Sequence, residues 1–320
     1  MKLRGVGHTG VTITELGFGG APVGNLYSAV DDASARLVID AAWDGGVRYF
    51  DTAPHYGLGL SERRIGVALH DRPREQFAIS TKVGRLLVPN PSPTGSDLAA
   101  GGFDVPDDKR REMDFSHDGV LRSIDASLER LGLDRLDIVF VHDPENHMES
   151  AVAEAVPALL ELRDQGMVGA IGVGANFVDP LRRFVTETDI DVVLVAGRWT
   201  LVDRSAEPLL DECLDRDVAV IAAGVFNSGL LAQREPSADG RFDYGPVPAD
   251  VLDAARACAR VCEEHGTTLP TVALRFALRH PAVTSVLVGM RTPADCAQDL
   301  ASLGADLDNG LWADLPDAVR

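Results

Sequence analysis

The chain has 320 residues, of which 45% are hydrophobic and 25% are charged, and this length is sufficient for a large buried core. Its formal net charge of −19 argues against nucleic acid as a partner, because a polyphosphate would be repelled over most of the surface. No apolar run approaches the roughly 20 residues of a membrane-spanning helix, and the first residues lack the apolar segment of a signal peptide. We therefore expect a soluble, cytoplasmic protein without membrane contact.

Eight apolar runs of strand length recur along the chain, with helical segments between them. Most of these runs are continuous rather than alternating, which is typical of strands covered on both faces. In chain order they are residues 13–18, 47–52, 77–83, 136–142, 168–173, 191–196, 218–223 and 284–289. Eight strands alternating with helices predict an α/β fold, a single (β/α)8 TIM barrel that forms one domain over residues 1–320.

The segment between the third and fourth runs starts with a long stretch that lacks a periodic pattern, and a predicted helix follows it. Residues 84–113 are rich in proline, glycine and aspartate, and a connection of this length is either functional or disordered. It follows the C-terminal end of a strand, so in a barrel it would overhang the active face. After it, Val120, Ile124 and Leu128 repeat at helical spacing behind Ser116, a good N-cap.

Polar side chains collect at the C-terminal ends of the second to fourth runs, where barrel enzymes place their catalytic groups. Asp51 lies at the end of the second run, Lys82 near the end of the third, and His142 at the end of the fourth. Tyr56 follows in the turn after Asp51. A lysine in an apolar strand is costly to bury alone, so we expect Lys82 to pair with Asp51.

This pairing predicts proton-transfer chemistry. Tyrosine has an ordinary pKa of about 10, and a nearby ammonium such as that of Lys82 would lower the pKa of Tyr56. Tyr56 could then act as a general acid or base, while a neutral His142 donates a hydrogen bond to a substrate oxygen. The arrangement suits interconversion of a carbonyl and an alcohol, and a cofactor must supply the hydride chemistry.

Several motifs resemble the aldo-keto reductase superfamily, whose catalytic tetrad is Asp, Tyr, Lys and His. They are FDTAPHYG (50–57), STKVG (80–84) and FVHDP (140–144). The resemblance extends over nearly the whole chain, to VGMRTP (288–293). Other blocks resemble the bacterial branch of D-threo-aldose 1-dehydrogenases and pyridoxal 4-dehydrogenases, among them GFGGAPVGNLY (17–27) and GVFNSGLL (224–231).

The resemblance implies a role for each matching residue. Asp51, Tyr56, Lys82 and His142 would be catalytic, Asn176 would hold the nicotinamide carboxamide, and Trp199 would stack on the ring. Gly224, Ser228, Gly229 and Leu230 would cover the pyrophosphate, and Gly289, Arg291, Asp295, Gln298 and Asp299 would form the adenosine-phosphate site. Independently of the resemblance, His55 and Arg198 are polar residues near the predicted tetrad, and we expect them to reach the substrate at the cavity mouth. Ala175 and Ala196 replace a serine and a glutamine that usually contact the nicotinamide.

The resemblance also implies the cofactor and the substrate class. NADP-dependent relatives usually have an arginine two residues after the proline of the last loop, and this chain has Asp295 there. We therefore expect NAD to be preferred over NADP, with Arg291 compensating in part. The expected reaction is oxidation of an aldose, such as L-fucose, at the anomeric carbon to a lactone. Pyridoxal oxidation and general aldehyde or ketone reduction are the alternative reactions. We expect the protein to be a monomer or a homodimer.

Other classes of protein are weaker interpretations of the same residues. His142, Asp143, Glu145 and His147 could ligate a divalent metal in a barrel hydrolase. Against this, the first strand does not end in His-x-His, and the last ends without a carboxylate. Cys258, Cys262 and His265 offer three further ligands but no fourth at the usual spacing, so no metal is expected. A non-catalytic nicotinamide-binding subunit is a third possibility, and only a measurement of turnover distinguishes it from an active enzyme.

Overall fold

Eight parallel strands close into a barrel in the computed structural model, which describes residues 1–319, and the predicted (β/α)8 fold is confirmed. In chain order the strands are β1 (Leu3–Gly5), β2 (Thr12–Thr14), β3 (Leu16–Gly19), β4 (Tyr49–Asp51), β5 (Ala78–Val83), β6 (Arg85–Pro89), β7 (Lys109–Met113), β8 (Leu136–His142), β9 (Val168–Ala175), β10 (Val192–Ala196), β11 (Ala219–Ala223), β12 (Arg241–Phe242), β13 (Gly245–Pro246) and β14 (Val283–Gly289). The barrel consists of β3, β4, β5, β8, β9, β10, β11 and β14, and β14 pairs with β3 to close it.

Helices connect the barrel strands and cover its outside. They are α1 (Asp32–Asp44), α2 (Leu60–Leu69), α3 (Leu98–Gly101), α4 (His117–Leu131), α5 (Met148–Ser150), α6 (Val156–Asp164), α7 (Val178–Glu187), α8 (Glu207–Asp215), α9 (Ala249–Glu264), α10 (Leu269–Ala277), α11 (Pro293–Leu303) and α12 (Asn309–Asp314). The predicted cap of α4 forms, since the Ser116 side chain accepts a hydrogen bond from the Gly119 amide at 3.1 Å. Within residues 1–319, no helix has both the length and the apolar content that crossing a membrane requires.

Strand β8 shows why the predicted runs are apolar at every position. Ile138 and Phe140 point into the barrel and belong to the interior cluster. Val139 and Val141 point outward and pack with the layer between the strands and the helices. Side chains alternate across a strand, so a strand buried on both faces needs apolar residues at odd and even positions alike.

The first predicted run divides into two elements. Strand β2 ends at Thr14 and the barrel strand β3 begins at Leu16, with the Thr14 hydroxyl donating to the Leu16 carbonyl at 2.7 Å. Strands β1 and β2 form an antiparallel hairpin, and Val6 and Ile13 pack against interior residues at the N-terminal ends of the barrel strands. The hairpin therefore covers the end of the barrel opposite the strand ends that carry Asp51 and His142.

Residues 84–113 form an ordered hairpin rather than an irregular loop. Strands β6 and β7 pair antiparallel from Arg85 opposite Met113 to Pro89 opposite Lys109, and α3 lies in the connection between them. Phe103, in the same connection, pairs through its backbone with Leu26, in the loop that follows β3. The segment overhangs the C-terminal ends of the strands, as the sequence predicts.

Candidate active site

A buried ion pair joins the ends of β4 and β5. The Lys82 ammonium donates to both carboxylate oxygens of Asp51, at 2.8 and 2.7 Å, and to the Thr52 carbonyl at 2.9 Å. Both side chains are only 2% exposed. Asp51 pairs in register with Ser80, so Lys82 projects from the same face of β5 two residues further on, directly over the carboxylate. Ser80 also donates to Asp51, at 2.6 Å. The pair predicted from the sequence is present.

The turn after β4 places Tyr56 beside this pair. The Tyr56 amide donates to the Ala53 carbonyl at 3.0 Å, and the turn then continues through Gly57, which has a φ of +62°. A side chain at Gly57 would place its Cβ 2.2 Å from the Gly24 carbonyl oxygen, so the close approach of these two segments requires glycine. The Lys82 nitrogen lies 4.8 Å from the centroid of the Tyr56 ring.

The protonation of Tyr56 differs from the sequence-based expectation. Burial, together with the negative charge of Asp51, raises the pKa of the Tyr56 phenol well above its ordinary value. The expected lowering by Lys82 is absent because the ammonium is paired with both oxygens of Asp51, so its field at the phenol is largely cancelled. Tyr56 therefore carries its proton in this structure.

His142 ends β8 and faces Tyr56 across a cavity. The centroids of the two rings are 6.1 Å apart, and the ring planes are nearly perpendicular. Burial and the charge of Arg85 hold the pKa of His142 well below its ordinary value, so the imidazole is neutral, as predicted. Its Nδ1 is buried and has no hydrogen-bond partner within residues 1–319. Its Nε2 lies 3.5 Å from Asp143, whose carboxylate is held by Arg85 at 2.6 Å.

The four residues of the predicted tetrad line one cavity of about 490 Å³ at the C-terminal ends of the barrel strands. His55 lies on the same wall, between Tyr56 and the overhanging connection of the β6–β7 hairpin. Other parts of the wall are glycine backbone, at Gly19, Gly20, Gly174, Gly224 and Gly289. The structure thus brings the tetrad and His55 together around a single space.

Asn176 lines this cavity, whereas Arg198 does not. The Arg198 guanidinium donates to the Asn176 backbone carbonyl at 2.8 Å and forms ion pairs with Asp203 at 2.9 Å and Asp243 at 2.7 Å. The prediction that Arg198 reaches the substrate at the mouth is therefore corrected. Its charge is used to hold Asn176 and the segment around Asp243 in place.

Trp199 also lies away from the cavity. Its indole N–H donates to the Ala277 carbonyl at 3.1 Å, and its ring packs 5.0 Å from that of Phe276 on α10. The predicted stacking of Trp199 on a nicotinamide is corrected, because the indole is part of the packing between the barrel and α10. The aromatic side chain that lines the cavity nearby is Tyr244, whose amide donates to the Ser228 hydroxyl at 3.0 Å.

The segment predicted to cover the pyrophosphate is a strained helical turn above β11. Gly224 lines the cavity with a φ of +62°, and residues 227–232 form the turn. Ser228 and Gly229 within it have φ values of +58° and +97°. Leu230 is buried and anchors the turn to the core. The positive φ values bend the backbone sharply at the cavity edge.

The residues predicted for the adenosine-phosphate site lie at the start of α11. Gly289 lines the cavity. Arg291 reaches across the mouth and donates to the backbone carbonyls of Ser28 at 3.1 Å and Ala29 at 3.0 Å. The Asp295 carboxylate forms a capping box with Thr292 and accepts from the Arg291 amide at 3.0 Å. Both side chains thus have structural partners.

Gln298 and Asp299 occupy successive positions of α11. Gln298 is exposed, while Asp299 is buried and faces the layer beneath the helix. Burial, followed by repulsion from Asp295, raises the pKa of Asp299 to about 7. Neither side chain lines the cavity around the tetrad, and their proposed contact with the adenosine end stays a prediction.

The side chains required by the metal hypotheses have other partners. Asp143 is paired with Arg85, and the ring of His147 packs 5.3 Å from that of Phe115. Among residues 1–319, no three His, Cys, Asp or Glu side chains converge on a common point. Cys258 and Cys262 are buried, which raises their thiol pKa values to about 11 and 12, and His265 bonds to Asp314 at 2.8 Å.

The aromatic cavity residues Tyr27, Phe103 and Tyr244 received no role from sequence reasoning. Phe103 and Tyr244 sit in connections with little regular structure, and Tyr27 lies after a short helical turn. The Arg241 guanidinium stacks 4.7 Å from the centroid of Tyr27, so two loops meet across the mouth. Asp143, which the sequence offered only as a candidate metal ligand, also lines the cavity beside His142.

Comparison with known proteins places this site in context. A sequence profile of the Aldo/keto reductase family matches residues 15–318. A D-threo-aldose 1-dehydrogenase from a Pseudomonas species is 48% identical over 97% of this chain and 95% of its own length. A pyridoxal 4-dehydrogenase from Microbacterium luteolum is 37% identical over 98% and 96%. The solved structure of an aldo-keto reductase from Bacillus halodurans, in its holo form, is similar with a TM-score of 0.79 and 22% identity, covering 100% of this chain and 98% of that one. This last similarity concerns the fold alone.

Proposed function

Since this chain belongs to the aldo/keto reductase family, as its motifs predict, and is an oxidoreductase, we propose that it oxidises an aldose at the anomeric carbon to a lactone. The family acts on small molecules with nicotinamide cofactors. The observation that carries the proposal is the assembly of Asp51, Tyr56, Lys82 and His142 around one cavity in a chain 48% identical to a D-threo-aldose 1-dehydrogenase. L-fucose or a stereochemically related aldose is the proposed substrate.

Tyr56 is the proposed general base in the direction of oxidation. As the phenolate, formed by release of its own proton to solvent, it accepts the proton of the anomeric hydroxyl. The neutral imidazole of His142 donates a hydrogen bond to the same oxygen and orients it. Asp51 holds Lys82 under the phenol ring, at the 4.8 Å distance given above. When bound, an oxidised nicotinamide supplies the hydride acceptor and a positive charge. A positive charge in the cavity opposes the effect of burial and helps Tyr56 to ionise.

The residues around the cavity fit a nicotinamide dinucleotide. Asn176 offers an amide at the end of β9, suited to a carboxamide. Gly289 has no side chain and is exposed at the cavity wall, so a flat group can approach its backbone closely. Ala175 and Ala196 also line the cavity and supply no hydrogen bond. We propose that Asn176 therefore holds the carboxamide with fewer partners than is usual in the family.

We predict that NAD+ is preferred over NADP+. The Asp295 carboxylate would repel a 2′-phosphate, and Arg291 is already engaged by the carbonyls of Ser28 and Ala29. Steady-state kinetics with saturating sugar should give a higher kcat/KM with NAD+. Asp295→Asn keeps a capping oxygen but removes the charge, so it should raise kcat/KM with NADP+ and leave that with NAD+ nearly unchanged. A kcat/KM about tenfold higher with NADP+ in the wild type would contradict the assignment.

A substrate panel tests the reaction itself. Buried hydroxyls need hydrogen-bonding partners, and the cavity offers them at His55, Asp143, Asn176 and Tyr244. We expect reduction of the nicotinamide with L-fucose or a related aldose at millimolar concentration, and a lactone identified by mass spectrometry. Pyridoxal and aromatic aldehydes are assayed beside the sugars with both cofactors. Turnover of pyridoxal or simple aldehydes alone, with no aldose oxidised, would leave only the family assignment standing.

A further inference from the structure

We infer that His55 is a hydrogen-bond donor to a substrate oxygen, and that Arg111 of the β6–β7 hairpin fixes it in this role. The identity of the substrate rests on the proposed function, whereas the state of the imidazole does not. The inference gives the hairpin a part in the reaction: its strand β7 supplies the residue that decides which nitrogen of His55 carries the proton.

The contacts of Arg111 determine the tautomer of His55. The Arg111 Nε donates to His55 Nδ1, and Arg111 Nη2 donates to the His55 backbone carbonyl at 3.0 Å. A guanidinium has only donors, so Nδ1 must be the acceptor in this contact. A neutral imidazole has one donor and one acceptor nitrogen, and the proton of His55 therefore resides on Nε2.

Asp97 prevents Arg111 from adopting another arrangement. Its two carboxylate oxygens accept from the two Nη atoms of Arg111, each at 2.6 Å, in an end-on bidentate pair. Asp97 is buried, and its backbone amide bonds to the Val105 carbonyl at 2.9 Å within the same connection. With both Nη atoms engaged by Asp97, the Nε–H is left to point at the imidazole, and a bidentate pair fixes this orientation.

His55 stays neutral over the working pH range. Burial, followed by the charge of Arg111, lowers its pKa to about 2. The Arg111 hydrogen bond acts in the same direction, because it can be accepted only by an unprotonated Nδ1. A single tautomer is therefore present at neutral pH, and it presents an N–H group.

The Nε2–H of His55 is placed to meet a substrate. The ring lines the cavity, with its centroid 6.0 Å from that of Tyr56 and 5.8 Å from that of His142. Phe103 packs edge-on against it at 5.2 Å, which restricts rotation of the imidazole. Nε2 forms no hydrogen bond within residues 1–319, and it is not among the fully buried unpaired atoms, so it is open to the cavity. A ligand oxygen in the cavity can therefore accept a hydrogen bond from it.

This arrangement specifies the chemistry of the substrate. His142 and His55 are both neutral, and each ring lies about 6 Å from the other and from that of Tyr56. The two imidazoles can therefore donate hydrogen bonds to two separate oxygens of the substrate. One is the reacting oxygen, and the other is an acceptor next to the reacting carbon, such as a ring oxygen or a neighbouring hydroxyl. A polyhydroxylated ring provides this pair, and a simple aldehyde does not.

The first experiment is nitrogen NMR of the full chain labelled in its histidine rings, with and without NAD+. The pattern of couplings from the ring protons to the two nitrogens distinguishes the tautomers. The set of signals that is lost in His55→Gln is assigned to His55. We expect His55 to be the Nε2–H tautomer, and in Arg111→Met we expect this pattern to be lost. Arg110→Met, on the exposed face of the same strand, serves as the control and should leave it unchanged. An Nδ1–H tautomer or an imidazolium at neutral pH in the wild type would overturn the inference, whatever the substrate proves to be.

The second experiment separates donation from filling of space. His55→Gln retains an N–H close to the position of Nε2, whereas His55→Leu fills similar volume without a donor. We expect His55→Leu to lower kcat/KM for the best sugar of the panel by about tenfold or more, since a buried oxygen of the substrate is left without a hydrogen-bond donor. Gln should recover most of this loss, and the dissociation constant of NAD+ should change little in both variants. Equal values of kcat/KM for Gln and Leu would refute donation by His55. If His55→Leu does not fold, the NMR measurement on the wild type still decides the tautomer.

Discussion

Replacing Tyr56 with phenylalanine should lower kcat by about 10²- to 10⁴-fold, the usual contribution of general acid–base catalysis. The phenol is the only hydroxyl that lies beside both Lys82 and His142 in the described cavity. Phenylalanine keeps the ring and its packing against Phe103, so the shape of the cavity should persist. Steady-state turnover measures the loss, and fluorescence titration with NAD+ should give a dissociation constant close to that of the wild type.

Tyr244→Phe is a matched control for this variant. It removes one phenolic hydroxyl from the same cavity, close to Asn176. We expect its kcat to stay within a few-fold of the wild type, with the loss of a sugar contact raising KM, because Tyr244 does not contact the Asp51–Lys82 pair. Wild-type turnover by Tyr56→Phe would remove Tyr56 from the mechanism. A similar loss in both variants would show that any polar change in this cavity is damaging.

The barrel could be predicted because its signals are local. Residues 138–141 of β8 are apolar at every position, and most of the eight runs carry a similar pattern. The β6–β7 hairpin had no such signal, since β7 reads KRREM and is almost entirely exposed. Its pairing joins Arg85 with Met113 across a long connection, and no periodic pattern within either strand indicates that partner.

The candidate site divides in the same way, into features that local patterns predict and features that depend on contacts between distant parts of the chain. Asp51 and Lys82 could be paired from the sequence because strand ends meet at one edge and a buried lysine needs a counter-charge. Trp199 could not be placed, since its position depends on Phe276, a contact between distant parts of the chain. The pKa of Tyr56 was misjudged because the sequence indicates that Lys82 is near but not that Asp51 neutralises it with both oxygens.

The Asp51–Lys82 pair should be costly to break from one side only. Lys82→Met leaves the Asp51 carboxylate buried, with the Ser80 hydroxyl as its remaining side-chain donor. Removing one partner of a buried ion pair typically lowers the free energy of unfolding by about 3–5 kcal/mol. Urea unfolding of Lys82→Met should show a loss of this size. Arg183→Met, which breaks exposed pairs with Glu187 and Glu149, should leave the urea midpoint nearly unchanged, because exposed ion pairs contribute little to stability.

The double variant Asp51→Leu, Lys82→Met separates stability from chemistry. Replacing both charges with apolar groups removes the unpaired carboxylate, and such replacements of buried pairs are often neutral or stabilising. Ser80 keeps a partner, since its hydroxyl also bonds to that of Tyr49 at 2.9 Å. We therefore expect the double variant to regain most of the free energy of unfolding lost in Lys82→Met, while its kcat stays as low. Recovery of both the free energy of unfolding and kcat would mean that Lys82→Met lowers kcat only through its loss of stability. Recovery of stability alone means that apolar side chains can replace the pair in the fold but not in the reaction, so that the two buried charges are retained for the chemistry at Tyr56.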